Sequence, residues 1–199
     1  YGWVDPVVHQ PVAGSAEFRN GLSYLGTYSP DRQTGVEELF LGPARALPAK
    51  TFLLAGAQYP HDFPWTTNIH FARHLEPAQH PAFFCSGRAT LNVTRMAMSN
   101  YGFCPSGRLF EAAACGTPVI SDCWEGLDEF FTPDAEIILA HNRKDVIDAL
   151  SLSDKELLEI GLAARKRTLR DHTAAARVIQ LENLLEQAQN GMESLVLTA

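Results

Sequence analysis

Six short stretches of the chain read as strands: residues 22–28 (LSYLGTY), 51–57 (TFLLAGA), 68–75 (NIHFARHL), 89–95 (ATLNVTR), 118–122 (PVISD) and 136–141 (EIILAH). Several are apolar at successive positions, not alternate ones. Such strands are buried on both faces, the condition of a parallel sheet covered by helices. Helix signals fall between and after them. Ser29 is placed to cap a helix that Pro30 begins, running through PDRQTGVEELFLGPARAL. Residues 77–87 read as a short helix or turn. Residues 142–152 form one helix, and residues 153–172 another, with Ser153 and Glu156 as a capping box. Residues 173–189 form the last, where Val178, Leu181, Leu184 and Leu185 make a helical stripe expected to pack in the core. Strands alternating with helices predict an α/β domain on a parallel sheet of about six strands, with long C-terminal helices. Residues 1–20, with Pro6 and Pro11, read as an extended linker, leaving 21–199 as the domain.

Charge narrows the partners. The 199 residues carry a net charge of -7, and 46% are apolar, a globular composition. An acidic chain lacks the basic footprint of a nucleic-acid binder, so no nucleic-acid polymer is expected as a partner. The charge is unevenly spread, however. Residues 77–110 contain no Asp or Glu but do contain Arg88, Arg95 and Arg108, which points to a local anion site. The four cysteines, Cys85, Cys104, Cys115 and Cys123, make no CxxC pair and fit a reducing, cytoplasmic setting. The NVT sequon at Asn92 is then incidental. No apolar run is long enough for a membrane span. The abrupt start at YGWVDPVVHQP, with no initiator Met, is expected to mark a piece of a longer protein.

The densest chemistry lies in CPSGRLFEAAACGTPVISD, residues 104–122. Ser106 can cap a helix, Gly107 leaves the backbone open to a ligand, and Gly116 can end the helix in the left-handed region. Arg108 stands in the first turn, where its charge opposes the helix dipole. An anion such as a diphosphate between the two would resolve that conflict. Glu111 is one turn on, and a carboxylate can accept two hydrogen bonds from vicinal hydroxyls, as on a ribose. The competing reading is that Arg108 and Glu111 pair with one another at i, i+3.

The stretches YLGTYSPDRQ, AGAQYP, NVTR, CPSGRLFEAAACGTPVISDCWEGLDEFF, EIILA and ARKRTLRDHTAAAR together resemble the CgeB-like (spore-maturation-type) family of GT-B glycosyltransferases, over nearly the whole chain. The match is to the C-terminal, nucleotide-sugar-binding domain, and GWVDPVVHQP is similar to the linker that joins the two domains of these enzymes. The resemblance implies a Rossmann-like three-layer fold and a nucleoside-diphosphate sugar as donor substrate. It implies a hexosyl transfer with no metal and no cofactor, and an N-terminal acceptor domain outside this sequence, without which the chain alone is expected to be inactive and toward which the helices of residues 154–189 would pack, leaving some of their apolar residues exposed here. Glu111 then matches the residue that binds the donor ribose. Ser106, Gly107 and Arg108 match the phosphate-facing turn, and Gly26 to Ser29 match the loop closing on the diphosphate. Arg32 and Arg95 are further candidate cations, and Arg108 with Glu111 are the expected catalytic pair. Phe103 departs from the family, because many related retaining enzymes carry a second glutamate there.

Other residues admit two readings. His70, His74 and His80 could hold zinc only on a helix, yet their segment reads as a strand. Asn92 ends a strand near the expected ligand edge. Trp124 and the EGLDEFF segment either cover the donor or plug the core. Cys115 and Cys123 read as buried small residues, and Tyr1, Trp3 and His9 as linker packing. His141 ends a strand without an evident partner. A dinucleotide-dependent oxidoreductase is disfavoured because the first strand leads into GTYSPD, not GxGxxG. A non-catalytic nucleotide-binding or scaffold domain stays open, with Phe103 as its support.

Overall fold

The computed structural model describes the backbone of residues 2–197 and the side chains of residues 2–189, so Tyr1 lies outside the described residues. Six strands form one sheet: β1 (Leu22–Leu25), β2 (Phe52–Ala55), β3 (Ile69–Ala72), β4 (Thr90–Asn92), β5 (Val119–Ser121) and β6 (Ile138–Leu139). Their order is β3-β2-β1-β4-β5-β6, and every neighbouring pair is parallel. This is the doubly wound Rossmann-like order, and the sequence-based fold class holds. Strands β1, β2, β4 and β5 are buried at every position, as their unbroken apolar runs predict. Strand β3 is exposed along half its length because it is an edge strand. All six strands are shorter than the apolar runs that contain them.

Alternate residues of each strand feed two cores. Leu22, Tyr24, Phe52 and Leu54 face one side, where they meet Phe40, Leu41 and Val146. Leu25, Leu53 and Ala55 face the other, with Phe83, Leu109 and Ala113. The first helical layer consists of α1 (Gln33–Val36), a π-helical turn over Glu37–Leu41, α2 (Gly42–Ala46) and, after β6, α7 (Arg143–Ala149). The second contains α3 (His80–Cys85) and α5 (Gly107–Ala114). The exposed helix α4 (Met96–Tyr101) precedes α5, and α6 (Leu127–Phe130) follows β5. Both were absent from the sequence reading. Helix α8 (Asp154–Asp171) opens with the expected Ser153–Glu156 capping box, and α9 (Ala174–Leu197) follows.

One expectation is corrected. The α9 stripe is not core, since Val178, Leu181, Leu184 and Leu185 are each more than half exposed. An amphipathic pattern reports a face that is apolar, not whether anything covers it. The 1–20 segment forms a strap tied to the domain at its start. Val4 is buried, pairs with Thr173 and donates to the His172 carbonyl at 2.9 Å. Among the described residues, no helix is long and apolar enough to cross a membrane.

Candidate functional site

In this strand order the direction of winding reverses between β1 and β4, and the crevice beyond their carboxyl ends is where such sheets bind ligands. The backbone past β1 continues beside the β2 end, with Gly26 donating to Ala55 and Tyr28 to Ala57, both at 2.9 Å. Tyr59 then donates its hydroxyl to the Gly26 carbonyl at 2.9 Å. A side chain at Gly26 has no room, because a Cβ there would lie 2.8 Å from the Tyr24 hydroxyl and 3.0 Å from an Arg32 nitrogen. Arg32 lies over the Tyr24 ring at 5.9 Å and donates to the Thr27 carbonyl. Ser29 does not cap its helix through its side chain as expected. Its hydroxyl donates to the Asp31 carboxylate instead.

Across the crevice, Arg95 begins α4, exposed and without an ion pair among the described residues. Arg32, Arg95 and Asp122 all act electrostatically on the Tyr24 hydroxyl, and its burial pushes it up to about 12. Gly26, Ser29 and Arg32 stand together past β1, and Arg95 directly precedes α4, which packs against the Pro30–Arg32 turn. Arg88, from the same acid-free tract, stands apart from them. It precedes β4, binds Asp154 at 2.8 Å and donates to the Leu150 and Leu152 carbonyls, a structural role at the opposite edge.

Ser106, Gly107, Arg108 and Glu111 stand on α5, whose first turn opens at the same carboxyl edge. Ser106 caps it by accepting from the Arg108 N–H at 3.3 Å. The helix ends as predicted at Gly116, with φ of 75°. The Gly116 N–H binds Ala113 at 2.9 Å and the Thr117 N–H binds Ala112 at 3.1 Å, a Schellman motif. Gly107 is exposed, and a Cβ there would meet only Glu111, at 3.8 Å. The Arg108 and Glu111 side chains are in direct contact, and Arg108 also reaches His80 Nδ1 at 3.4 Å. Burial, followed by the Arg108 charge, holds the His80 imidazole below its usual range. Arg108 and Glu111 thus form the i, i+3 pair of the competing reading.

The sequence reading did not single out Asp122. Its carboxylate accepts from the Thr94 N–H at 3.0 Å and the Thr94 hydroxyl at 2.9 Å, ties in Asn92 at 3.3 Å, and is raised by burial. It locks the ends of β4 and β5 together at the crevice. An acid as the first residue past a strand at the ligand edge was the available signal. Asn92 belongs to this network. Trp124 is buried against Phe130 and acts as a plug. Cys115 is buried as expected, but Cys123 is exposed, since it has left the strand. His70 and His74 are exposed, and His74 pairs with Glu76 at 3.2 Å, so the three histidines of that segment do not converge. His141 is also exposed. Phe103 takes a positive φ of 49° and rests on Gly126. A cleft of about 570 Å³ lies elsewhere, beside β6, lined by Asp134, Glu156 and Glu159 together with apolar Ile138, Leu152 and Ile160.

The comparisons with known proteins agree with this architecture. The family model described as glycosyl transferase-like matches residues 32–183. Sucrose-phosphate synthase from Thermosynechococcus elongatus superposes with a TM-score of 0.73 at 17% identity, over 96% of this chain and 52% of that one. The C-terminal domain of a group 1 family glycosyl transferase, LpcC, from Francisella tularensis has a TM-score of 0.64 at 17% identity, over 86% of this chain and 99% of that domain. HepE from Anabaena in complex with UDP-glucose has a TM-score of 0.69 at 13% identity, over 94% of this chain and 56% of that one. The chain therefore spans about half the length of the synthase and of HepE. No curated protein sequence matches it.

Proposed function

Because the chain belongs to the glycosyl transferase-like family, we propose that it is the donor-binding domain of a GT-B glycosyltransferase and holds a nucleoside-diphosphate sugar at the carboxyl edge of its sheet. The observation that carries this reading is the convergence on that edge of Arg32 and Arg95 with the open first turn of α5 and its Arg108 and Glu111. In this assignment the diphosphate draws Arg108 away from Glu111, the loop from Gly26 to Ser29 closes over the phosphates, and Glu111 reads the ribose. Preorganised cations and helix N–H groups would stabilise the leaving diphosphate, a role that calls for no metal and no cofactor. The UDP-glucose in the HepE complex, and the UDP and glucose in a second HepE structure, support a sugar nucleotide as the donor class.

The finer assignments follow the resemblance: a CgeB-like, cytoplasmic enzyme transferring a hexosyl group, with acceptor and general base on a second domain. Phe103 favours one alternative, a domain that binds the nucleotide without transferring sugar. Titration with UDP, GDP and ADP tests the reading. At ~100 times its dissociation constant a ligand should stabilise the fold by ~2.7 kcal/mol. A folded chain whose melting point none of these ligands moves would overturn it. Donor hydrolysis by a chain that does bind separates the enzyme from the non-catalytic alternative.

A further inference from the structure

His9 is half-buried, but its polar atoms are not matched as those of its neighbours are. The segment that carries it is fixed on both sides, by Val4 at its start and by Ser15, whose N–H donates to the Ser86 hydroxyl at 2.8 Å. Both His9 ring nitrogens are shielded from solvent and have no hydrogen-bond partner among the described residues. Buried polar atoms are rarely left so, and an exception calls for a reason. His9, His80 and Glu111 each bring a polar atom within 4.8 Å of the other two. A metal ion does not account for the group, since Arg108 already contacts both His80 and Glu111 and fills the cationic place.

The trio changes when Arg108 leaves. Its planar fork suits a diphosphate better than a single carboxylate oxygen. Glu111, with its side chain only 21% exposed, would then lose its counter-charge in a poorly solvated position. His80 Nδ1 lies 3.8 Å from the same Glu111 oxygen that Arg108 holds and 3.4 Å from Arg108 itself, so it already faces one side of the carboxylate. His9 can bring a ring N–H with no other partner to the other side, since its nitrogen and a Glu111 oxygen lie within 4.8 Å of each other.

We propose that His9 is a positioning residue that takes over the Glu111 carboxylate when Arg108 turns to a bound diphosphate, so holding Glu111 toward the ribose. This rests on the nucleotide-binding reading above. The test is calorimetric titration of the whole chain with inorganic diphosphate and with whichever of UDP, GDP and ADP binds it. It uses His9→Ala, His9→Gln, and His9→Ala combined with Glu111→Ala. Loss of one charge-assisted hydrogen bond predicts nucleotide binding weakened about tenfold by His9→Ala, with diphosphate binding unchanged. His9→Gln, which keeps an N–H donor, should restore most of it, and His9→Ala should add nothing once Glu111 is gone. If His9→Ala is silent, weakens both ligands alike, or weakens the nucleotide equally without Glu111, His9 only docks its segment and the inference is wrong. If the native chain binds no nucleotide, the functional reading itself has failed and takes the inference with it.

Discussion

Replacing Gly161 by Ala sets two effects of opposite sign against each other. In an open helix the change stabilises by about 1 kcal/mol, because Gly is the poorer helix former. Gly161 is not open. A Cβ there would lie 2.3 Å from the Gly116 carbonyl oxygen, 3.1 Å from its carbon and 3.2 Å from Pro118 Cδ. The obstacle is backbone, and it cannot swing aside cheaply. Gly116 sits at φ of 75° inside the Schellman motif, so rotating its carbonyl breaks the hydrogen bonds that close α5. Helix α8 must therefore back away from α5, and overpacking of this kind costs about 1–3 kcal/mol. With the propensity gain subtracted, Gly161→Ala should lower stability by about 1 kcal/mol, a fall of about 2–4 °C for a chain of this size. Urea unfolding measures it directly, read from the midpoint at constant slope. A midpoint that rises as for an exposed Gly→Ala would refute the close approach of α8 to the end of α5. Since α5 also carries Arg108, the same variant should weaken diphosphate binding.

Other outcomes follow from individual contacts. Arg108→Ala should weaken inorganic diphosphate and nucleotides together, with a loss that shrinks at high salt, whereas Glu111→Ala should weaken nucleotides by about 1.5–3 kcal/mol and spare inorganic diphosphate; calorimetry at two salt concentrations checks both. Tyr59→Phe removes the bond to the Gly26 carbonyl and should cost about 0.5–1.5 kcal/mol by urea unfolding. Burial lowers the imidazoles of both His80 and His172. A histidine depressed in the fold gives stability that is complete above the unfolded value, about 6.5, and is lost as pH falls below it. Unfolding midpoints should thus drop between pH 7.5 and pH 5.5, and His172→Gln should flatten that drop.

The strands were legible because a parallel sheet buried on both faces leaves apolar runs that few other structures produce. The limits of α5 were equally clear, since Ser106 and Gly116 each answer to one backbone requirement. Helix α4 was not, because MAMSNY buries no residue and so carries no periodicity to read. The α9 stripe misled for the complementary reason: a pattern of apolar positions cannot say whether a partner is present. At the site, Arg108 and Glu111 could be read from spacing within one helix. The group of His9, His80 and Glu111 could not, because three distant segments supply it and only the folded sheet edge brings them together.

The pairing of Val4 with Thr173 joins the first described residues to the junction of α8 and α9. It closes a loop that spans nearly the whole domain, as does the Arg177 bond to the Gly2 carbonyl at 3.2 Å, so chain entropy places this joint among the last contacts to form and the first to open. The order of assembly would then be sheet first and strap second, with His9 arriving only after the Arg108–Glu111 pair exists. In hydrogen exchange the Val4 and Ala174 amides, which bond across this joint, should open at a lower free energy than the amides of β1. The strap would thus behave as a separate cooperative unit laid over a sheet that folds without it.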